Sequence, residues 1–354
     1  MKEPSQSHQA SEVLLDKAHT DTSSSKGVET GAYGPVLSIV IVSYSTREMT
    51  LECIASVKAE TQTPFEVIVV DNASSDGSAE AIAKSHPDVK LIPEHINHGF
   101  GPAHELALKH ARAPWILLLN PDTVVLDGAL DKLLAFAKTQ PQAKIWGGRT
   151  LFGDMTLNPA SCFARITLWS IFCRVTGLNG IFRKSGMFNS EYYGAWPRNQ
   201  AREVDIVSGC LFLIRREFWD ALGGFDPAFT MYGEEADLCL RAHKLGAKPM
   251  ITPDATIIHH GGASERVRSD KLVRLMRAKI ELIQRHFPPG QRRVGTALFR
   301  LWPLSRRLAY ATGARLIGRD TLKEPAAAWK SVWARRAEWQ TGLSKKKPAT
   351  HPAP

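Results

Sequence analysis

A run of β-branched residues near the N-terminus, Val36–Tyr44 (VLSIVIVSY), constrains the fold more than any other feature. A strand that is apolar at consecutive positions buries both of its faces, as strands do in parallel sheets covered by helices. Strands and helices alternate after it: a helix to Glu60, a strand Phe65–Asn72, a capped helix, a third short strand and a fourth strand, Trp115–Leu119. This alternation predicts a doubly wound α/β sheet.

Polar residues follow these strands, at or just beyond their carboxyl ends: Tyr44, Asp71, Asn72 and Asp122. In open parallel sheets, ligands bind in the crevice outside the carboxyl ends of the strands. We therefore expect these four residues to lie together at a ligand site, although they are far apart along the chain.

The chain of 354 residues divides by composition. Residues 1–36 are polar and aperiodic, which predicts a disordered tail, and they lack the apolar core of a signal peptide. No stretch reaches the roughly 18 apolar residues of a membrane-spanning helix, so we expect a cytoplasmic protein. Residues 145–205 have an irregular pattern, and Lys248–Ser264 has the pattern of two strands that end in histidines.

The net charge of +10 is unevenly distributed. Residues 265–354 hold 21 Lys and Arg against 6 Asp and Glu, whereas residues 1–264 hold 24 against 29. The basic character therefore belongs to the C-terminal quarter. This quarter has a helical pattern to residue 340, and we expect the tail at 341–354 to be disordered.

Two groups of polar residues suit a nucleotide ligand. Asp71 ends an apolar strand, where its carboxylate suits a ribose hydroxyl or a base N–H; a helix-capping turn is the alternative. Asn120 and Asp122 flank a proline after the fourth strand. Carboxylates repel a diphosphate unless a divalent cation bridges them, and oxygen donors of this kind favour Mg²⁺ or Mn²⁺. An Asn-Pro dipeptide is also an ordinary turn starter.

Two further groups suit catalysis. Glu234, Glu235 and Asp237 crowd a predicted helix N-terminus, where the helix dipole alone favours acids. Crowding of like charges also raises a carboxyl pKa toward the range of a general base. His259 ends a strand beside Gly261, which suits a metal ligand near a phosphate, whereas a lone histidine is more often structural.

Four motifs, in this order, resemble the inverting family 2 glycosyltransferases of the GT-A fold, and within them the bacterial rhamnosyltransferase-like branch. They are SIVIVSY, VIVVDNASSDGS, the NHGFG and LLLNPDT pair, and GGFDPAFTMYGEEADLCLR followed by HHGGAS. The resemblance covers about residues 37–264. It implies a GT-A catalytic domain with a mixed sheet, a donor half at 37–125, an acceptor half at 126–264, and a basic helical extension at 265–340.

The resemblance also implies roles for single residues. Those implied to bind the nucleotide-sugar donor are Ser43, Tyr44, Asp71, Asn72, Asn97, Gly99 and Asn120. Asp122 and His259 are implied to hold Mg²⁺ or Mn²⁺. The family usually has Glu-Asp where this chain has Glu234 and Glu235, so Glu235 occupies the catalytic-base position with one extra methylene. Glu234 and Asp237 are the alternatives to it.

The implied reaction is transfer of a sugar with inversion, in the assembly of cell-envelope glycans. Rhamnose from dTDP-rhamnose is the first choice of donor, and a UDP-hexose, UDP-N-acetylhexosamine or UDP-galactofuranose is the alternative. The expected acceptor is lipid-linked or a polysaccharide. A non-catalytic nucleotide- or glycan-binding protein is the alternative from another class. Four aromatic residues would suit stacking on sugar faces: Phe188, Tyr192, Tyr193 and Trp196.

The basic extension predicts a contact with an anionic membrane surface. It contains an apolar helical stripe and three tryptophans: Leu272, Met276, Ile280, Ile283, Trp329, Trp333 and Trp339. Interfacial helices have this composition, so we expect peripheral binding at the inner face of the cell membrane. Packing of the stripe on the catalytic domain is the alternative. Nucleic acid is not an expected partner, because the extension has no nucleic-acid-binding motif.

Overall fold

The computed structural model describes residues 34–261, 268–317 and 322–343. Most of both predicted tails, at 1–33 and 344–354, lies outside the described residues. So do Gly262 and Ser264, which follow His259 in the last motif.

The strands and helices of these ranges have the following bounds. The strands are β1 Leu37–Ser43, β2 Phe65–Asn72, β3 Lys90–Glu94, β4 Trp115–Leu119, β5 Thr123–Val125, β6 Ile145–Leu151, β7 Leu157–Asn158, β8 Cys162–Phe163, β9 Arg202–Glu203, β10 Ile206–Val207, β11 Leu211–Arg215 and β12 Met250–His259. The helices are α1 Arg47–Glu60, α2 Ser78–Ser85, α3 Phe100–Leu108, α4 Ala129–Thr139, α5 Leu168–Thr176, α6 Leu178–Ile181, α7 Arg216–Leu222, α8 Glu234–Lys244, α9 Arg268–His286, α10 Pro289–Ile317 and α11 Lys323–Ala334.

Parallel strands form one half of the main sheet, in the order β3-β2-β1-β4. β11 continues the sheet antiparallel to both β4 and β6, and β12 pairs parallel to β6. Helices cover both faces of this sheet. The result is a mixed, doubly wound α/β sheet, which confirms the predicted fold class.

The side chains of β1 alternate between two apolar cores. Val40 and Val42 lie in the core that α3 and α8 cover, and Ile39 and Ile41 lie in the core that α1 and α4 cover. None of the four is more than 8% exposed. Two-sided burial therefore explains why this strand is apolar at consecutive positions.

The expectation that residues 145–205 are irregular was wrong for β6 and α5. β6 is an interior strand between β11 and β12, and α5 is a helix with a capping box at Thr167. Two glycines, Gly147 and Gly148, weaken the strand pattern of β6 in the sequence. The tertiary structure requires Gly148, because a Cβ there would lie 2.1 Å from the Ala255 carbonyl oxygen.

The expectation of two strands at Lys248–Ser264 was also wrong, because the described part of this segment forms the single strand β12. Its register against β6 shifts between Thr252 and Thr256. Such an irregularity accommodates a proline, here Pro253, because the proline has no N–H to donate to the ladder. The strand therefore continues through the shift and ends at His259.

Helices α9, α10 and α11 form a third core together with α5. Its buried side chains are Ile171, Val273, Met276, Ile280, Ile283, Phe287, Phe299, Trp302, Trp329, Val332 and Trp339. Trp329 and Trp339 are only 6% and 1% exposed, so these two tryptophans belong to a protein core and not to a membrane-facing surface. Among the described residues, no helix is long and apolar enough to cross a membrane.

Gly148→Ala is expected to destabilise the fold by roughly 1–3 kcal/mol, because the new methyl group meets backbone atoms that cannot move aside. Urea unfolding followed by circular dichroism measures the change. Gly186→Ala is the matched control, since nothing lies within 4 Å of a Cβ at that position. Equal stability of the two variants would contradict the close approach of β6 and β12.

Candidate functional site

A cleft of about 270 Å³ opens at the carboxyl ends of the parallel strands, where the sequence predicts a ligand site. The predicted site residues that line it are Tyr44, Asn72, Asn97, Gly99, Asn120, Asp122, Glu234, Glu235 and His259. Ser43, Asp71 and Asp237 are not in its lining. The fold therefore brings residues from both halves of the sheet and from α8 to one space.

Asn72 organises the loop that precedes α3. Its amide nitrogen donates to the Asn97 side-chain oxygen at 3.1 Å and to the Gly99 carbonyl at 3.2 Å. Its oxygen accepts from the His98 N–H at 2.9 Å. Gly99 has a φ of +85°, and a Cβ there would lie 2.2 Å from the Thr230 carbonyl oxygen. These contacts fix one wall of the cleft and exclude a side chain at position 99.

Ser43 and Asp71 lie deeper than the cleft lining. Ser43 is fully buried, and its hydroxyl lies 2.9 Å from the Thr50 hydroxyl. Asp71 is 4% exposed, and its Oδ1 has no hydrogen-bond partner among the described residues. Burial raises the pKa of Asp71, against hydrogen bonds from Ser74 that lower it. Their contact with a donor stays a prediction.

Asp122 and His259 meet because β12 pairs with β5, which follows directly after Asp122. The His259 Nε2 lies 3.4 Å from Asp122 Oδ1 and 3.4 Å from the Asn120 amide nitrogen. The Gly261 N–H donates to Asp122 Oδ2 at 3.0 Å. Burial lowers the pKa of His259, but Cys210 and Asp122 outweigh it and raise that pKa to about 10. The Asp122 carboxylate therefore favours a cationic partner in this corner of the cleft.

The donor atoms decide whether these residues fit a divalent cation. Across the described ranges, no three His, Cys, Asp or Glu side chains form a metal cluster. Asp122 and His259 supply one carboxylate and one imidazole, and the buried Asn120 Oδ1 has no partner there. Mg²⁺ usually takes one or two carboxylates and fills its shell with water and substrate phosphates. The residues therefore fit a cation that binds together with a diphosphate.

Glu234 and Glu235 begin α8, after a turn in which Tyr232 and Gly233 have φ values of 72° and 91°. Glu234 is 1% exposed, whereas Glu235 is half-buried. Burial and the charge of Glu235 raise the pKa of Glu234 to about 8. Burial also raises the pKa of Glu235, while backbone N–H groups at the start of α8, and then the charge of Lys279, oppose that rise. The pair therefore retains a proton near neutral pH.

Asp237 lies in a network of ion pairs outside the cleft. Its Oδ2 accepts from Arg241 Nε at 2.7 Å, and its Oδ1 lies 2.8 Å from His286 Nε2. Burial raises the pKa of Asp237, but His286 and Arg241 outweigh it and hold that pKa below its usual range. These contacts connect α8 to α9 and favour a structural role for Asp237.

Helix α9 adds a basic residue, Lys271, to the lining of the cleft, which the sequence analysis did not identify. Lys279 of the same helix belongs to a buried ion-pair network. Lys279 lies 2.8 Å from Glu191, and Arg174 lies 2.7 Å from the same carboxylate. Both cations hold the pKa of Glu191 at about 2, against its burial. In the sequence, α9 gave only an apolar stripe and a basic surplus, and nothing there pointed to the cleft.

The aromatic residues that were expected to stack on a sugar contact other protein groups and do not line the cleft. The Arg202 guanidinium lies 4.8 Å from the ring centroids of both Tyr193 and Trp196. Phe188 lies 4.9 Å from Phe182, measured between ring centroids. In this arrangement they stabilise the segment before β9.

The stability of the protein is expected to fall as pH rises from 4.5 toward 8, because Glu234 keeps a proton in the folded state that the unfolded chain loses. The folded chain binds more protons in this window, so raising the pH favours unfolding. Glu234→Gln cannot ionise and should lose less stability over the same range, as measured by urea unfolding at several pH values. The exposed Glu203→Gln should keep the wild-type slope. Equal slopes for both variants would show that Glu234 ionises normally.

Comparison with known proteins identifies the family. The family model described as glycosyl transferase family 2 matches residues 38–222. The chain is 30% identical over 236 residues to an N-acetylglucosaminyl-diphospho-decaprenol L-rhamnosyltransferase of Mycobacterium tuberculosis, covering 64% of this chain and 76% of that protein. It is also 30% identical over 240 residues to the O-antigen biosynthesis protein RfbC of Myxococcus xanthus, covering 66% of this chain and 18% of that protein.

Among solved structures, the fold is similar to that of a mannosyltransferase from Pyrobaculum calidifontis in complex with GDP-Man and Mn²⁺. The TM-score is 0.52 at 19% sequence identity, and the match covers 87% of this chain and 88% of that one. This likeness concerns the fold, which is the GT-A fold. The sheet order, the motifs and the matched family model agree. The chain therefore belongs to the family 2 glycosyltransferases, in their rhamnosyltransferase-like branch.

Proposed function

We propose that this glycosyltransferase moves a sugar, with inversion, from a nucleotide-sugar donor to a lipid-linked or polysaccharide acceptor in cell-envelope glycan assembly. The observation that carries the proposal is that one cleft holds both the Asp122–His259 pair and the Glu234–Glu235 pair. Buried polar atoms in both pairs, His259 Nδ1 and Glu234 Oε1, have no partner among the described residues. Buried polar atoms are normally hydrogen-bonded, so a bound substrate or water is the partner we expect.

In this proposal, residues 37–125 form the donor half and residues 126–264 the acceptor half. The donor half contributes the parallel strands β1–β4 and the loop that Asn72 organises. The acceptor half contributes α8 with its two glutamates. The extension at 265–340 contributes Lys271 to the lining of the cleft.

Glu235 takes the proton of the acceptor hydroxyl while that oxygen attacks the anomeric carbon. The bond from the anomeric carbon to the diphosphate oxygen breaks on the opposite face, so the configuration inverts. Burial raises the pKa of Glu235 toward the range of a general base, while backbone N–H groups at the start of α8 and the charge of Lys279 oppose that rise. The proton on Glu234 limits the pair to one negative charge, which reduces repulsion of the incoming diphosphate.

Asp122 and His259 are the residues that would hold Mg²⁺ or Mn²⁺. When bound, the cation supplies positive charge to the leaving diphosphate. The hydrogen bond from the Gly261 N–H already orients the Asp122 carboxylate. The Mn²⁺ in the mannosyltransferase of the same fold supports this proposal.

Rhamnose from dTDP-rhamnose is our first choice of donor, supported by the name of the Mycobacterium tuberculosis relative. The same relative supports a lipid-linked acceptor. The alternative donors remain a UDP-hexose, a UDP-N-acetylhexosamine and UDP-galactofuranose. A lipid-linked acceptor requires a position at the membrane, so we place the protein at the inner face of the cell membrane, as a peripheral protein.

Glu235→Gln is expected to lower turnover by a factor of about 10²–10⁴, the usual contribution of a general base, and to leave donor binding near the wild-type value. Calorimetry with the donor and Mn²⁺ measures binding, and release of the nucleotide measures turnover. Asp122→Asn is the contrasting variant, which should weaken donor binding in the presence of the metal. Wild-type turnover in Glu235→Gln would assign the base to Glu234.

A donor panel tests the proposed function directly. Purified protein is mixed with dTDP-rhamnose, UDP-sugars or GDP-sugars, each with and without Mn²⁺, and thermal stability and slow donor hydrolysis are measured. We expect one sugar nucleotide to stabilise the protein in a metal-dependent way and to release its nucleotide. Stabilisation by a donor with no hydrolysis or transfer would favour the non-catalytic binding alternative. If no donor stabilised the fold, the assignments of Asp122 and His259 would be wrong.

A further inference from the structure

An exposed apolar patch lies on α5, at the end of α6 and on the loop that follows α6. We define the aromatic patch as Trp169, Phe172, Ile181, Phe182 and Met187. Their exposed fractions are 43%, 41%, 72%, 46% and 64%. Scattered exposed apolar residues are ordinary, but a contiguous group marks a surface that contacts another apolar phase.

Ring contacts make this patch continuous. Trp169 stacks on Phe172, with ring centroids 5.6 Å apart. Phe188 lies between Trp169 and Phe182, with centroid distances of 6.0 Å and 4.9 Å. The Trp169 indole N–H donates to the Met187 carbonyl at 2.9 Å, which ties the loop to α5. The aromatic patch is therefore a built surface with fixed geometry.

The segment that carries the aromatic patch has charged side chains of one sign. Between Met155 and Ser190 the sequence contains no Asp or Glu, and the exposed Arg183 and Lys184 lie within the loop that carries Phe182 and Met187. The next acid, Glu191, is buried and paired with Arg174 and Lys279. The surroundings of the patch therefore favour an anionic partner.

The neighbouring helix α10 has the same character. It contains no Asp or Glu along its 29 residues. Val294, Leu301 and Leu308 are 56%, 49% and 58% exposed. Their spacing of seven residues places them in one stripe along the helix. The Arg306 guanidinium donates to the Arg174 carbonyl at 2.5 Å and thereby fastens α10 to α5.

From these features we propose that the aromatic patch, with Arg183 and Lys184, is the surface by which this protein binds an anionic lipid bilayer. Tryptophan and phenylalanine side chains with adjoining cations are the composition of interfacial membrane contacts. A protein partner or a second copy would also cover apolar area, but neither explains the absence of acids from both adjoining elements. The location differs from that expected from the sequence, since Trp329 and Trp339 are buried.

Helix α5 joins the patch to the C-terminal extension. Trp169 and Phe172 on this helix belong to the patch, while Arg174 on the same helix pairs with Glu191, which also pairs with Lys279 of α9. A bilayer at the patch would carry the lipid-linked acceptor, and this step rests on the proposed function.

Vesicle sedimentation tests the proposal with the full-length protein. Vesicles of phosphatidylcholine containing one third phosphatidylglycerol are compared with vesicles of phosphatidylcholine alone, both free of glycolipid acceptor. We expect binding to the anionic vesicles only. Trp169→Ser with Phe182→Ser should weaken binding at least tenfold, because two aromatic side chains no longer insert. Arg183→Gln with Lys184→Gln should weaken it about 25-fold, at about fivefold per cation.

Leu245→Ser is the matched control, since Leu245 is 61% exposed but lies outside the patch. It should bind vesicles as the wild type does. Wild-type vesicle binding by both patch variants would overturn the proposal. A second result would also overturn it: the wild type is a dimer, and Trp169→Ser with Phe182→Ser makes it a monomer that still binds vesicles. Donor hydrolysis without vesicles is measured in parallel. Donor hydrolysis or transfer without vesicle binding would refute this inference alone, and vesicle binding with neither hydrolysis nor transfer would refute the proposed function alone.

Discussion

The burial of β1 on both faces is the constraint on which the rest of the structure depends. Its side chains enter two cores in alternation, so helices must cover both sides of the sheet. Parallel neighbours β2 and β4 then end at the same edge as β1. Polar residues that follow separate strands therefore meet at one cleft, and the site follows from how the strand is buried.

The protonation of the two glutamates in that cleft depends on their burial. Two adjacent carboxyl groups at the start of α8 cannot both ionise easily when they are buried, and the pKa of Glu234 rises to about 8. In the same cleft, the Asp122 carboxylate favours a cationic partner beside His259. The cleft therefore combines a protonated glutamate pair with a separate negative group at Asp122.

The C-terminal helices belong to the site, although the matched family model ends at residue 222. Lys271 lines the cleft, and Lys279 reaches Glu191 from the same helix. Tryptophans in this part of the structure differ in burial. Trp329 fills a core, whereas Trp169 is exposed beside basic side chains. Composition alone does not separate these cases, because burial depends on which helix packs against which.

The sequence by itself determined the fold class and the bounds of β2 and β4, because hydrophobic period and strand ends are local signals. Nine of the twelve residues predicted from strand ends and from the family resemblance line one cleft. The sequence did not predict β6, because two adjacent glycines resemble a loop in the sequence. Only the structure shows that the Ala255 backbone lies too close to Gly148 for a side chain there. Tertiary structure alone decided that Asp237 forms ion pairs outside the cleft, and that Lys271 lines the cleft. Both depend on α9, whose position results from packing between distant segments, and no local pattern encodes it.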